Sequence, residues 1–138
     1  MESIIITTQS TINQPVSLVW ECWTKPEHFV NWNFASDDWH CPAAKNDFKI
    51  GGKFSYTMAA KDGSFSFDFP GTYDLIVEKR KIEYTLDDAR RVWIEFSENG
   101  SETIIVQKFE IESENTPELQ KTGWQAILNN FKKYCETI

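Results

Sequence analysis

Residues 116–138 read TPELQKTGWQAILNNFKKYCETI, and this stretch decides the architecture. Trp124, Ile127, Leu128, Phe131, Cys135 and Ile138 fall at offsets 0, 3, 4, 7, 11 and 14, which lays one apolar stripe along a helix. Lys121, Thr122, Gln125, Asn129, Lys132, Lys133 and Glu136 take the opposite side. Thr116 suits an N-cap, Pro117 suits the first helical position, and Glu118 sits where the helix dipole favours an anion. Lys132 and Lys133 lie in the later turns, where cations are favoured. A helix of about twenty residues is ~30 Å long, the width of a small domain. It must lie across something. Gly123 sits beside the stripe, where a helix interior normally avoids glycine by about 1 kcal/mol relative to alanine. A side chain there is expected to collide with the sheet, with the neighbours of Trp124 or with a ligand.

Upstream, the chain reads as the surface that receives this helix. Ser3 to Ile12, rich in Ile and Thr, is a first strand. Pro15 opens a short helix with Val16, Val19, Trp20 and Trp23 on its apolar side. A second short helix begins near Pro26, with Phe29, Val30 and Trp32 apolar. Asn33 to Phe48 has no clean period and reads as a long loop, of the kind that is functional or a lid in a compact domain. Gly51-Gly52 then begins a run of strands, the pair permitting a bend or a close backbone approach. Phe54, Tyr56 and Met58 alternate with polar residues, and Asp62-Gly63 is a hairpin signal. Phe65, Phe67 and Phe69 follow, then Pro70-Gly71 as a bulge or edge irregularity. Tyr73, Leu75 and Val77 come next, then Ile82, Tyr84 and Leu86. After a turn at Asp87-Asp88-Ala89, Arg90, Val92, Ile94 and Phe96 share one face. Asn99-Gly100 turns the chain into a last strand, Thr103 to Ile111.

The predicted fold class is α+β: one strand, two short helices, about six meandering antiparallel strands and one long helix. The sheet, of about seven strands, is apolar on one face, as expected when only that face is covered. Residues 1–138 are expected to form one domain, because no composition shift or linker divides the 138 residues. The net charge of −7 argues against non-specific binding to nucleic acid or to an anionic membrane. No run of about eighteen apolar residues suggests a membrane span. The start Met-Glu-Ser-Ile lacks the positive segment of a signal peptide. Cys22, Cys41 and Cys135 are odd in number and widely spaced, so they read as reduced, buried thiols in a cytoplasmic protein.

An ordered set of short stretches then resembles a known family. These are Pro15-Val16-Ser17-Leu18-Val19-Trp20, Thr24-Lys25-Pro26-Glu27, Trp32, Asp38-Trp39-His40-Cys41-Pro42, Asn46-Asp47, Gly51-Gly52-Lys53-Phe54, Gly71-Thr72-Tyr73 and Gly123-Trp124. Together with the element order, they resemble the helix-grip fold of the START-like (SRPBCC, Bet v 1-like) superfamily. Within it they look like the branch named after the ATPase activator of the ninety-kilodalton heat-shock protein. The resemblance spans essentially the whole chain and implies a cavity between the long helix and the sheet. It does not imply one activity, since members include lipid carriers, polyketide cyclases, antibiotic-sequestering proteins and chaperone activators.

Six tryptophans and an aromatic fraction of 14% supply the material for such a cavity. Trp32, Phe34, Trp39, Phe54, Tyr56, Phe67, Tyr73, Tyr84, Trp124, Ile127 and Phe131 are the candidate ligand-binding residues, with His40 and Arg90 as polar partners. Buried rings in most proteins simply pack, and that reading stands beside the functional one. Arg90 heads a strand whose alternate residues are apolar, so it can point at the cavity mouth and hold a carboxylate or phenolate. His40 near Asp38 can serve as acid or base, against the plainer reading of a loop histidine among capping aspartates. No standard zinc spacing is present among two histidines and three cysteines. Gly51-Gly52 lacks the ending of a phosphate loop. No metal and no cofactor are expected.

The expected function is binding of a small hydrophobic molecule, aromatic or lipid-like, without catalysis. Two alternatives stand beside it. One is a cyclase- or aromatase-like cavity enzyme using His40, an Asp or a Tyr. The other is a protein-interaction module like the chaperone activator, working alone or as a homodimer, although the eukaryotic activator carries a second domain absent from this sequence.

Overall fold

The computed structural model describes residues 4–138. Among these, seven strands form one antiparallel sheet in the order β1-β7-β6-β5-β4-β3-β2. The strands are β1 (Ile5–Ile12), β2 (Trp39–Asn46), β3 (Lys53–Ala60), β4 (Ser66–Val77), β5 (Lys81–Leu86), β6 (Arg91–Asn99) and β7 (Glu102–Glu110). Helices α1 (Val16–Thr24) and α2 (Pro26–Phe29) follow β1, and α3 (Pro117–Glu136) closes the chain. The sheet curls into a half-barrel around α3.

The long helix begins as its sequence dictates. The Thr116 hydroxyl accepts a hydrogen bond from the Leu119 amide at 3.1 Å, and Pro117 follows at the first position. The stripe divides into two parts. Leu128, Phe131 and Cys135 are fully buried, whereas Trp124 and Ile127, in the turn before them, are only half-buried. Ile138, expected on the stripe, lies beyond the helix end and is 54% exposed. On its far side α3 covers the sheet edge. Gln125 Nε2 donates to the Gln9 carbonyl at 3.2 Å and Lys132 Nζ to the Thr11 carbonyl at 2.6 Å. These bonds occupy carbonyls of β1 that would otherwise offer a free edge.

Several boundaries differ from the sequence reading. The first strand starts at Ile5, and Ser3 lies outside the described residues. The expected loop 33–48 contains an edge strand, β2, which pairs with β3 across a register shift between His40 and Ala43. Pro42 sits in that irregularity, where a missing N–H costs nothing, and it hid the alternation that marks a strand. Conversely, the two expected strands around Pro70-Gly71 are one twelve-residue strand, β4. Its register shift falls between Tyr73 and Leu75. That bulge moves the inward phase to Ile76 and leaves Val77 exposed, against the expected Tyr73, Leu75, Val77 row. Gly71 is required within the strand because a Cβ there would stand 2.5 Å from Phe54 Cζ. Gly52 is required by close approach as well: its Cβ would meet the Asp47 carbonyl oxygen.

Candidate functional site: a cavity between the long helix and the sheet

The half-buried part of α3 does not touch the sheet everywhere. Between them lies a cavity of about 510 Å³, within the ~300–1,000 Å³ usual for small-molecule sites. Strands β3, β4 and β5 supply Tyr56, Tyr73 and Tyr84 to its wall, α1 and α2 supply Trp23 and Phe29, and Trp32 follows them. Gly123, Trp124 and Ile127 form the roof. Trp124 is held flat on Phe109, with ring centroids 4.0 Å apart and planes 10° from parallel, and it meets Phe69 edge-on. Phe29 stacks on Tyr56 at 4.0 Å. Rings locked against one another cannot collapse inward, and this preserves the space.

The space at Gly123 corrects the sequence reading. A Cβ built there meets no atom within 4 Å, so the glycine answers no collision with the protein. It borders the cavity directly.

The polar groups of the wall fall into two sets. In the first, each hydrogen-bonding atom has a partner. Tyr73 Oη donates to Asn46 Oδ1 at 2.6 Å, and Asn46 Nδ2 donates to the Thr24 carbonyl at 2.9 Å. Tyr73 has thereby used its only proton, so Tyr56 is the donor in the 3.1 Å bond between the two hydroxyls. Burial pushes the Tyr73 hydroxyl up to about 12 and the Tyr56 hydroxyl well above its ordinary range. Gln120 is likewise satisfied, its amide joining Glu112 and Asn115 in the loop before α3.

The second set is open. Tyr84 is only 8% exposed, and burial drives its hydroxyl far up while the nearby Arg90 charge opposes this in part. Its hydroxyl has no hydrogen-bond partner among the described residues, and no polar side-chain atom that is fully buried lacks one, so the hydroxyl faces the cavity space. Gln107, 7% exposed, receives the Thr8 hydroxyl on Oε1 at 3.4 Å and leaves Nε2 unpaired. Asn33 gives its amide nitrogen only a 3.8 Å contact with Cys41 Sγ and leaves Oδ1 unpaired. All three open groups are uncharged. The charged groups of the lining are Asp68, Asp87 and Asp88, which are exposed at the rim, and Arg90 and Glu112, which are half-buried.

Of the residues predicted for the site, Trp32, Tyr56, Phe67, Tyr73, Tyr84, Arg90, Trp124 and Ile127 border the cavity. Phe54 and Phe131 do not; they are core residues behind the wall. Phe34 stands outside, its carbonyl accepting from Asn130 at 2.7 Å. Trp39 packs instead with Phe65 and Phe67 at the β3–β4 end of the sheet. His40 pairs with Ala59 on the edge strand, away from the cavity, and Asp38 accepts from Ser36, so no His40–Asp38 couple forms. Arg90 reaches the mouth, but its Nε donates to Asp88 at 2.7 Å. The turn thus engages one face of this cation, and its Nη groups have no partner among the described residues. Among the lining residues that the sequence reading missed are Trp23, Phe29, Asn33 and Gln107. The helical pattern of Trp23 and Phe29 was visible, but their cavity-facing position was not. Among the described residues, no group of three His, Cys, Asp or Glu side chains is placed to hold a metal ion. Likewise, no helix among them is long and apolar enough to cross a membrane.

A curled antiparallel sheet gripping a long C-terminal helix defines a helix-grip protein of the START-like class. The comparisons narrow this further. The model of the family "Activator of Hsp90 ATPase homolog 1-like protein" matches residues 13–136, and the chain belongs to that family. The solution structure of an AHSA1-like protein from Aeromonas hydrophila is 38% identical, with TM-score 0.91, covering 97% of this chain and 93% of that one. A Cytophaga hutchinsonii protein is 51% identical, with TM-score 0.83, covering 96% and 92%. A Nitrosomonas europaea protein shares the fold at 17% identity, with TM-score 0.83 and coverage of 97% and 95%. No curated protein matches.

Proposed function

We propose that this protein binds a small, mainly apolar molecule in the cavity under α3, without catalysing a reaction on it. The observation that carries this reading is the roof. Trp124 and Ile127 lie on the apolar stripe yet remain half-buried, and the glycine beside them opens onto space rather than onto packed atoms. A helix that served only as core would close that space; here Trp124 reaches the sheet at Phe109 and Phe69 while the gap beside it stays open. Family membership is consistent with a ligand-binding or activator-like domain. The non-catalytic assignment rests on His40, the acid–base candidate, which lies outside the cavity. The three tyrosine hydroxyls there are held neutral by burial. Three buried free thiols suit a reducing, cytoplasmic setting.

One observation favours the second reading, a protein-interaction module. Phe65 and Phe67 are 58% and 41% exposed and cluster with Trp39. Phe67 also borders the cavity, however, so the patch is continuous with the mouth and serves equally as an apolar entrance. Native mass spectrometry of freshly purified protein, together with titration of an environment-sensitive apolar dye, separates the two. Ligand binding predicts about one saturable site per chain and, where the natural ligand is retained, a defined extra mass. A protein with no saturable dye site would not be a carrier of this kind.

A further inference from the structure

Resting on that reading, we infer that the ligand is an uncharged aromatic compound carrying a carbonyl or phenolic oxygen, which takes its hydrogen bond from Tyr84. The argument is one of satisfaction. Polar groups enclosed in a protein are normally paired, so those left open in an apolar cavity mark where a ligand's polar atoms go. Here the Tyr56–Tyr73–Asn46 chain is complete, and so is the Gln120 amide. What remains is the Tyr84 hydroxyl, the Gln107 amide nitrogen and the Asn33 amide oxygen. Tyr84 and Gln107 stand on the same concave face, separated by β6. Tyr84 is opposite Val92, and Gln107 is opposite Ile94 on the far side of that strand. Strand spacing alone places their backbones about 10 Å apart across the sheet. A flat ring system fits between such points, against the aromatic walls, with an oxygen at one end.

The charged lining disfavours a charged ligand at Tyr84. The charged groups of the lining are Arg90, which gives only its Nε to Asp88 at 2.7 Å and keeps its Nη groups open among the described residues, the exposed Asp68, Asp87 and Asp88, and the half-buried Glu112, which accepts the Asn115 amide at 2.7 Å. A carboxylate entering the cavity would lose water and meet one cation, Arg90, against the four carboxylates of Asp68, Asp87, Asp88 and Glu112. An ammonium would be held at the carboxylates of Asp68, Asp87, Asp88 and Glu112 rather than at Tyr84, whose open neighbours Gln107 and Asn33 are uncharged. Discrimination therefore falls on charge first and on the hydrogen-bonding oxygen second.

Four probes with one skeleton test this: acetylnaphthalene, ethylnaphthalene, naphthoate and naphthylmethylammonium. Affinities are read by quenching of tryptophan fluorescence, and contacts by NMR shifts, at neutral pH. Acetylnaphthalene should bind about fivefold tighter than ethylnaphthalene, the gain of one neutral hydrogen bond. Both charged probes should bind at least about tenfold weaker than the ketone. In Tyr84→Phe the preference for acetylnaphthalene over ethylnaphthalene should collapse to near unity, while ethylnaphthalene binding is unchanged. Because the hydroxyl has no partner among the described residues, Tyr84→Phe should unfold at the same denaturant midpoint as the parent or a higher one, so the variant reports on binding and not on folding. Equal binding of the two neutral probes, a preference that survives Tyr84→Phe, or a charged probe that matches the ketone would each overturn the inference while leaving the cavity reading intact. Failure of all four probes to bind would remove both.

Discussion

Gly123 offers the most direct test of the space beneath α3. In the middle of a helix, glycine costs about 1 kcal/mol relative to alanine, because its backbone loses more freedom on folding. The usual reason to keep one there is close packing, but a Cβ at this position meets nothing within 4 Å. Gly123→Ala should therefore recover nearly the whole propensity term and raise stability by about 1 kcal/mol. For a chain of this length that is a rise in Tm of about 4 °C. Gly123→Leu separates roof from core. Leucine is nearly as good a helix former as alanine, and its side chain points into the cavity, so the protein should unfold at or above the parent midpoint. Its side chain should at the same time occupy ligand space and weaken binding of an apolar dye. Urea denaturation followed by tryptophan fluorescence gives the first quantity, and dye titration on the same samples gives the second. A Gly123→Ala variant less stable than the parent by 1 kcal/mol or more would mean that α3 packs tightly against the sheet here. The roof, and the function built on it, would then be wrong.

Other positions carry consequences of opposite sign. Gly71→Ala should lower stability by about 2–3 kcal/mol, since its Cβ would press on the Phe54 ring and on the Thr85 carbonyl, which is backbone and cannot rotate away; an unchanged urea midpoint would contradict the register of β3 on β4. Glu136 accepts Lys132 Nζ at 2.8 Å and the Asn13 amide at 2.7 Å, and chiefly the lysine holds its carboxyl below the ordinary range. Its contribution is complete above the unfolded carboxylate pKa of about 4.3 and is lost as pH falls through the lower folded value. Glu136→Gln should accordingly cost less than about 1 kcal/mol at neutral pH and nothing in strong acid, so a pH-independent difference between variant and parent would refute the assignment. Burial pushes the Cys22, Cys41 and Cys135 thiols upward. The native protein should resist a thiol-titrating reagent and release its thiols only in denaturant, whereas rapid native reaction would show that the core near α1 and α3 opens.

The long helix, its cap and its apolar stripe were legible in residues 116–138 alone, because helical period and capping are local properties of a dozen or so neighbouring residues. The same holds for β1, β3, β5, β6 and β7, whose alternation shows in the sequence. Tertiary structure decided the rest. β2 gains its order from pairing with β3, and Pro42 with the small Ala43 and Ala44 conceals it from any pattern. β4 runs through Pro70 because Gly71 admits the Phe54 ring, a contact between residues on neighbouring strands. The division of the stripe into core and roof depends on how far the curled sheet stands from α3, which no helical period encodes. Most of all, the chemistry of the cavity lies in which polar atoms remain unpaired. Tyr73 is satisfied by Asn46, 27 positions away in the chain, and Tyr84 by no group among the described residues. Sequence gives each hydroxyl the same capacity to bond, and only the folded arrangement determines which one is left for a ligand.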